Sequence, residues 1–359
     1  MPTAGREYLR ALLTAQEAPC VSIYLPTHRS HPDNVQDPIR FKNLVKQVEE
    51  SLTRSYPVRE VRALVDPLHQ LQGDAAFWNH TLDGLAVLAS PSRFDVLKAP
   101  RPVRERVVVA NSFHVKPLLR YLQSADRFHV LAVAEDKFVV YEGNRYVLDP
   151  VTPAPKVSGS VRPPAPSDPK AQRVAGEGMA GYFRAVDQAV ADEVSRPSGA
   201  PLVLAALTDN AAAFRSVAKN PHLLPEGITG VNPFTLDAGA LRARAWAVLE
   251  PHYLARLAKL SGDFGTAASR QHGTGDLSDA ARAAVAGRVG TLLIDSDKTL
   301  PGSIDPATGA IRDGDLADPN VDDKLDDLAE LVLRSGGDVV LVPGDRMPTK
   351  TGLAAIYRY

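Results

Sequence analysis

Between Pro150 and Pro169 the chain carries seven prolines and no apolar period. Each proline fixes φ and removes a backbone donor, so the stretch cannot continue a sheet and reads as an exposed, extended loop. On either side, strand-like apolar runs alternate with helical stripes. That alternation predicts an α/β fold with mixed sheets, and changes of pattern divide the chain into three segments.

The first segment covers residues 1–124. A short helix pattern (Tyr8, Leu9, Leu12, Leu13) precedes a strand, Val21–Leu25. Thr27 to Asp37 is a polar loop. Phe41, Leu44, Val45, Val48 and Leu52 then recur on one helical stripe, with Pro38 in the first turn and Asp37 as the expected N-cap. A helix around Val58–Leu71 and a hairpin, Gly84–Ser90 with Arg93–Ala99, complete it. The second segment, 125–260, opens with strands His129–Ala134 and Phe138–Glu142, followed by the Pro-rich loop, 150–176. A helix from Gly178 to Ser195, a strand from Pro201 to Leu207 and a long helix from Ala238 to Leu260 complete this segment, with a kink expected at Pro251. A small, polar run, Gly262–Gly275, separates the third segment, 276–359. There the pattern gives helix Asp279–Ala286, strand Arg288–Asp295, a loop Pro301–Pro319 and helix Lys324–Leu333 with the stripe Leu325, Leu328, Ala329, Val332. Gly336-Gly337 caps that helix, and strands Asp338–Pro343 and Leu353–Tyr359 follow.

With 359 residues, 44% hydrophobic and 23% charged, the composition is globular and suits two or three domains. The 41 basic and 42 acidic residues nearly cancel, so a nucleic-acid surface has to come from local clustering. Cys20 is the one cysteine. It excludes an intrachain disulfide and fits a reducing compartment. The opening residues lack a signal peptide's apolar core, and no apolar run approaches membrane-spanning length. The expectation is a cytoplasmic protein with no membrane partner.

Chemical motifs are sparse. Gly176-Glu177-Gly178-Met179-Ala180-Gly181 fits G-x-G-x-x-G, yet no strand precedes it, and it reads as a loop entering a helix. His28 and His31 lack a third ligand. There is no HExxH, P-loop or G-x-S-x-G elbow. Acidic residues read as scattered surface, with no carboxylate pair standing out. No catalytic residue, metal or cofactor is expected. Basic residues cluster twice: His28, Arg29, Arg40, Lys42 and Lys46 at the first loop–helix junction, and Lys156, Arg162, Lys170 and Arg173 on the Pro-rich loop. Each cluster reads either as a phosphate-neutralising surface or as an ordinary solvated face.

VSIYLPTHRSHPDNVQDPIRFKN, at Val21–Asn43, resembles a bacterial family related to subunit 1 of the archaeal and eukaryotic peptide-chain release factor and to Pelota. The likeness continues at LAVLASPSRFDVLKAPRPVRERVVV, RFHVLAVAEDKFVVYEG, NPHLLPEGITGVNPFTLDAGALRARAWAVLEP and GRVGTLLID, and closes at SGGDVVLVPGDRMPTKTGLAAIYRY. Within that family the sequence is most similar to the Balon-type ribosome hibernation factors. The resemblance implies three domains: a decoding-centre domain (1–124), a ribonuclease-H-like middle domain (125–260) and an L7Ae-like α/β domain (276–359). It also implies a ribosome partner at the A site, with contacts to ribosomal RNA, and elongation factor Tu as a further partner.

True release factors carry a Gly-Gly-Gln tip in the middle domain. The corresponding loop here, KVSGSVRPPAPSDPKAQRVAGEG, has none, and Gly336-Gly337 is followed by Asp338. The resemblance therefore implies a translation-silencing factor that does not release peptide. It places Tyr24, Pro26, His28, Arg29, Arg40, Lys42, Asn43 and Lys46, with Lys156, Arg162, Lys170 and Arg173, at the ribosome. Two other readings stay open: a peptidyl-tRNA hydrolase or rescue factor with an unfamiliar loop, and a non-ribosomal, stress-related α/β binding protein.

Overall fold

The computed structural model describes residues 3–14, 17–122, 127–152, 154–156, 171–315, 318 and 321–359. Two compact units result: residues 1–6 with 124–256, and residues 7–123 with 257–359.

In the second of these, which begins within α1 (Thr3–Thr14), the chain leads to β1 (Cys20–Pro26), α2 (Asp37–Thr53), α3 (Val58–Gly73) and the single turn α4 (Ala75–Trp78). After β2 (Gly84–Ser90), β3 (Arg93–Ala99) and β4 (Arg106–Ala110) comes α5 (Lys116–Leu122). The sheet order is β3-β2-β1-β4, antiparallel throughout. β1 is central and alternates with period two. Val21, Ile23 and Leu25 join the α2 stripe (Phe41, Leu44, Val45, Val48, Leu52) and α3 in one core. Ser22 and Tyr24 instead meet the chain at His114: the His114 N–H donates to Ser22 Oγ at 3.0 Å, and the Tyr24 hydroxyl donates to the His114 carbonyl.

Asp37 is not the N-cap of α2. The cap position falls on Gln36, and the buried Asp37 carboxylate accepts from His28 N–H at 2.7 Å and contacts His28 Nδ1 at 2.9 Å. It anchors the preceding loop instead.

The other unit holds β5 (Phe128–Val133), β6 (Phe138–Gly143) and β7 (Leu148–Pro150). The helix α6 (Ala171–Val190) continues through a π turn (Ala191–Ser195) into α7 (Arg196–Ser198), and β8 (Leu202–Ala206), α8 (Thr208–Val217), β9 (Leu223–Thr229) and α9 (Ala238–Ser269) follow. Sheet order is β7-β6-β5-β8-β9, with β5, β8 and β9 mutually parallel. Both faces are covered, so β5 and β8 are near-continuously apolar. Leu131, Val133, Leu202 and Leu204 pack with α6 and α8, while Phe128, Val130, Val203 and Ala205 pack with α9.

Two expectations fail here. The helix beginning at Ala238 passes Pro251 and runs to Ser269, so most of the small, polar run 262–275 is helical. Gly176, expected in the loop, lies inside α6, which begins at Ala171 and not at Gly178, and the G-x-G-x-x-G spacing forms no strand–turn–helix.

In residues 257–359 the chain adds β10 (Gly273–Thr274), α10 (Leu277–Val285), β11 (Val289–Asp295), β12 (Gly302–Ile304), β13 (Ile311–Asp313), α11 (Lys324–Arg334), β14 (Asp338–Val342) and β15 (Leu353–Tyr357). The main sheet is β10-β15-β11-β14, with β11 and β14 parallel. The α11 stripe Leu325, Leu328, Ala329 and Val332 is buried. Gly336 ends that helix at φ +75°, where a side chain would be strained, and Gly337 N–H donates to Val332 O at 2.8 Å. The stretch read as a loop from Pro301 contains the β12–β13 hairpin. Among the described residues, no helix is long and apolar enough to cross a membrane.

Candidate nucleic-acid interface and a buried charged junction

The loop between β1 and α2 is built from ion pairs. Arg29 clasps Asp83 with both ends of its fork, Nε at 2.9 Å and Nη2 at 2.8 Å. Arg40 reaches Glu105 at 2.8 Å and donates to the Pro26 carbonyl at 3.3 Å. His28 holds Asp37. Lys46 faces Glu50 at 3.7 Å on an exposed flank of α2, and Lys42 and Asn43 lie exposed on that helix with no side-chain partner among the described residues. The structure thus brings His28, Arg29 and Arg40 into one loop-anchoring set, and places Lys42, Asn43 and Lys46 on the solvent side of α2.

Tyr24 leaves the expected contact set. It is fully buried, with burial first and the charges of Asp326 and Asp322 next in pushing its hydroxyl well above the ordinary phenol range. Exposed ion pairs contribute about 0–1 kcal/mol each, so Arg29 and Arg40 can exchange a carboxylate for a phosphate at little cost. Of the second cluster, Lys156 is exposed, and its backbone N–H lies 3.2 Å from Glu193 Oε1. Arg162 and Lys170 lie outside the described residues, and Arg173 falls on the first turn of α6.

The sequence reading missed a second charged region. Within residues 7–123 and 257–359, His114 Nδ1 lies 2.6 Å from Asp322 Oδ1 and 3.5 Å from Asp326 Oδ2. Asp326 also accepts from the backbone N–H groups of Val115, at 3.0 Å, and Lys116. Lys116 Nζ meets Asp323 at 2.9 Å and donates to the Lys298 carbonyl, and Arg106 stands 3.8 Å from Asp322. His114, Lys116, Asp322, Asp323, Asp326 and Glu330 are all buried, which corrects the reading of the acidic residues as scattered surface.

Burial pushes the His114 imidazole down, but the charges and hydrogen bonds of Asp326 and Asp322 outweigh it and lift the pKa to about 10. The ring is therefore a cation at neutral pH, not a general base. Burial raises the Asp322 carboxyl, and the adjoining His114 and Arg106 charges bring it below the ordinary range. Asp327 is pushed up to about 8, by burial first and then by Asp322. His114, Asp322 and Asp326 each place one ligand-type atom within 4.8 Å of the others. However, the 2.6 Å approach of His114 to Asp322 is a direct charged contact, whereas ligands at 2.0–2.2 Å from one ion stand roughly 3 Å or more apart.

One sequence signal did point to this region. Asp322, Asp326 and Glu330 recur at i, i+4, i+8 beside the α11 stripe. Such a line of like charges repels itself unless counter-charges meet it. The counter-charges, His114, Lys116 and Arg106, lie some 200 positions away in sequence, where no local pattern links them.

In the first unit, a smaller cluster has the reverse composition. Arg127 Nε lies 2.8 Å from Glu142 Oε1, and the buried His129 lies 3.7 Å from Glu142 Oε2. Burial raises the Glu142 carboxyl, but the His129 hydrogen bond and the Arg127 charge prevail and hold it at about 2.

Residues 127–288 match the model of the bacterial archaeo-eukaryotic release factor family 3. That stretch runs from the start of β5 to just beyond α10 and relates the chain to a bacterial release-factor-like family. No curated protein matches the sequence. Among solved structures, an archaeal translation termination factor, aRF1, is 15% identical and covers 99% of this chain and 97% of its own, with a TM-score of 0.28. Dom34 of S. cerevisiae, a translation termination-like factor, is 11% identical and covers 77% of this chain and 73% of its own, with a TM-score of 0.41. A model of ribosome-bound archaeal Pelota and ABCE1 gives 14% identity, 77% and 72% coverage, and a TM-score of 0.43.

Proposed function

We propose that this chain is a ribosome-binding factor of the release-factor type, one that occupies the A site and silences translation without releasing peptide. The observation that carries the reading is the match of residues 127–288 to a release-factor-related family, in a chain whose Lys156–Gly178 stretch contains no Gly-Gly-Gln. Peptide release requires donors positioned to orient a water at the ester. That stretch has no histidine, and its carboxylates, Asp168 and Glu177, have no partner in sequence to tune them. Occupancy is then the activity, because it excludes aminoacyl-tRNA and true release factors. Elongation factor Tu is a further partner in this reading.

The ribosome-facing residues in this reading are Lys42, Asn43 and Lys46 on the exposed side of α2, joined by Arg29 and Arg40 when phosphates replace Asp83 and Glu105. Co-sedimentation with ribosomes is expected at low salt and should weaken as salt rises, because each neutralised phosphate releases counterions. Absence of co-sedimentation at low salt sinks the reading. Peptide release from loaded ribosomes by the purified protein would replace it with the hydrolase reading.

A further inference from the structure

The chain after β3 reads Arg101-Pro102-Val103-Arg104-Glu105-Arg106. Together with the start of α5 and the turn after β11, it lines a half-open cavity of about 220 Å³. Arg101, Arg104, Arg106, Lys116 and Arg120 line it, along with His114, against two carboxylates, Asp297 and Asp323. Both acids already have partners: Asp323 pairs with Lys116 at 2.9 Å and Asp297 with Arg120 at 3.0 Å. Among the described residues Arg104 donates to the backbone carbonyl of Asp297, at 3.4 Å, and the acid beside Arg106, Asp322, is at 3.8 Å, beyond hydrogen-bond length. With Asp322 and Asp326 set against His114, Arg104 and Arg106 still have no carboxylate within hydrogen-bond length among the described residues, so several of their guanidinium donors remain unused. Cations that converge on one cleft repel unless an anion joins them.

We infer that this cavity is a binding site for a small phosphate-bearing anion, held by the forks of Arg104, Arg106 and Arg120. Guanidinium groups match phosphate oxygens two at a time, and several converging on one space make a directional receptor. Ser296 and Thr299 bring hydroxyl groups to the same wall. The volume lies below the roughly 300–1,000 Å³ of pockets that hold drug-sized ligands, so one or two phosphate groups fit and a full nucleotide does not. The inference is independent of the ribosome reading, since its residues are not those assigned to the ribosome.

The test is a calorimetric titration of the full chain with inorganic pyrophosphate at neutral pH and low salt, together with its melting temperature with and without the ligand. Saturable binding at one site and a raised melting temperature are expected. The double variant Arg104→Gln/Arg120→Gln should weaken binding by at least about tenfold. Arg104 is exposed and the Arg120 side chain is 36% exposed, so the variant should fold, which circular dichroism checks. Lys259→Gln, which removes an exposed lysine paired with Asp263, should bind like the parent. No saturable binding at millimolar pyrophosphate, or equal binding by the double variant, overturns the inference. So does a short RNA that displaces pyrophosphate at lower concentration, because the cavity would then be a backbone-phosphate contact.

Discussion

His114 and Glu142 are each held between two groups that favour its charged form, and the two units use that arrangement in opposite senses. In residues 7–123 with 257–359, one imidazole lies against two carboxylates, Asp322 and Asp326, and its pKa rises to about 10. In residues 124–256, one carboxylate lies against Arg127 and His129, and its pKa falls to about 2. Each cluster sets a histidine beside a carboxylate, and the remaining partner, a second carboxylate or an arginine, decides which protonation state folding favours. One unit should weaken toward alkaline pH and the other toward acid. A buried histidine–carboxylate contact therefore has no fixed pH signature until its other neighbours are counted.

The largest expected effect comes from breaking the His114 contact. His114→Leu leaves Asp322 and Asp326 buried without their nearest cation, and removing one partner of a buried pair costs about 3–5 kcal/mol. Denaturant unfolding of the variant should show that loss. Asp322→Asn combined with His114→Leu should recover part of it, since the stranded charge goes with its partner. A His114→Leu variant as stable as the parent would mean that the junction holds little energy.

The pH dependence separates the two units next. A histidine raised from 6.5 to about 10 contributes stability that is fully present below 6.5 and lost as pH rises through about 10. The raised Asp327 adds to the same trend, because the folded state keeps its proton up to about 8 while the unfolded chain releases it near 3.8. Hydrogen exchange at the Val115 and Lys116 amides, which donate to Asp326, should therefore accelerate between neutral pH and about 10 beyond the intrinsic base-catalysed rise. Glu142→Gln tests the opposite limb. A carboxyl lowered from 4.5 to about 2 contributes stability that is present above 4.5 and lost on acidification toward 2. The variant should flatten that acid limb in β5 and β6 and leave the alkaline limb of the other unit intact. The effect should be the smaller one, since the Glu142 side chain is 38% exposed and solvent screens it.

The smallest stability change is expected where the ribosome reading needs it. Arg29→Ala, Arg40→Ala and Lys42→Ala together remove two exposed ion pairs and one solvated cation, and the melting temperature should stay nearly unchanged. Ribosome co-sedimentation by the same variant should fall. A large drop in melting temperature would show that these side chains serve the loop and not a partner.

The sequence by itself determined the elements whose burial follows a local period. The α2 stripe from Phe41 to Leu52, the α11 stripe from Leu325 to Val332, the run at Leu202–Ala206 and the helix end at Gly336 were all legible. In each case the relevant neighbours lie within a turn or two, or alternate along one strand. The strands β7, β12 and β13 were not legible because three residues are too few to show a period, and β9 and the helices α5 and α8 were not legible either. Asp37 looked like a cap and became a loop anchor because His28 folds back onto it. Tyr24 looked available to RNA, and Asp322, Asp326 and Glu330 looked solvated, until the chain at 106–120 met the chain at 297–330. Only tertiary structure decides such cases, because a charge can be buried when counter-charges close around it, and those arrive from far along the chain.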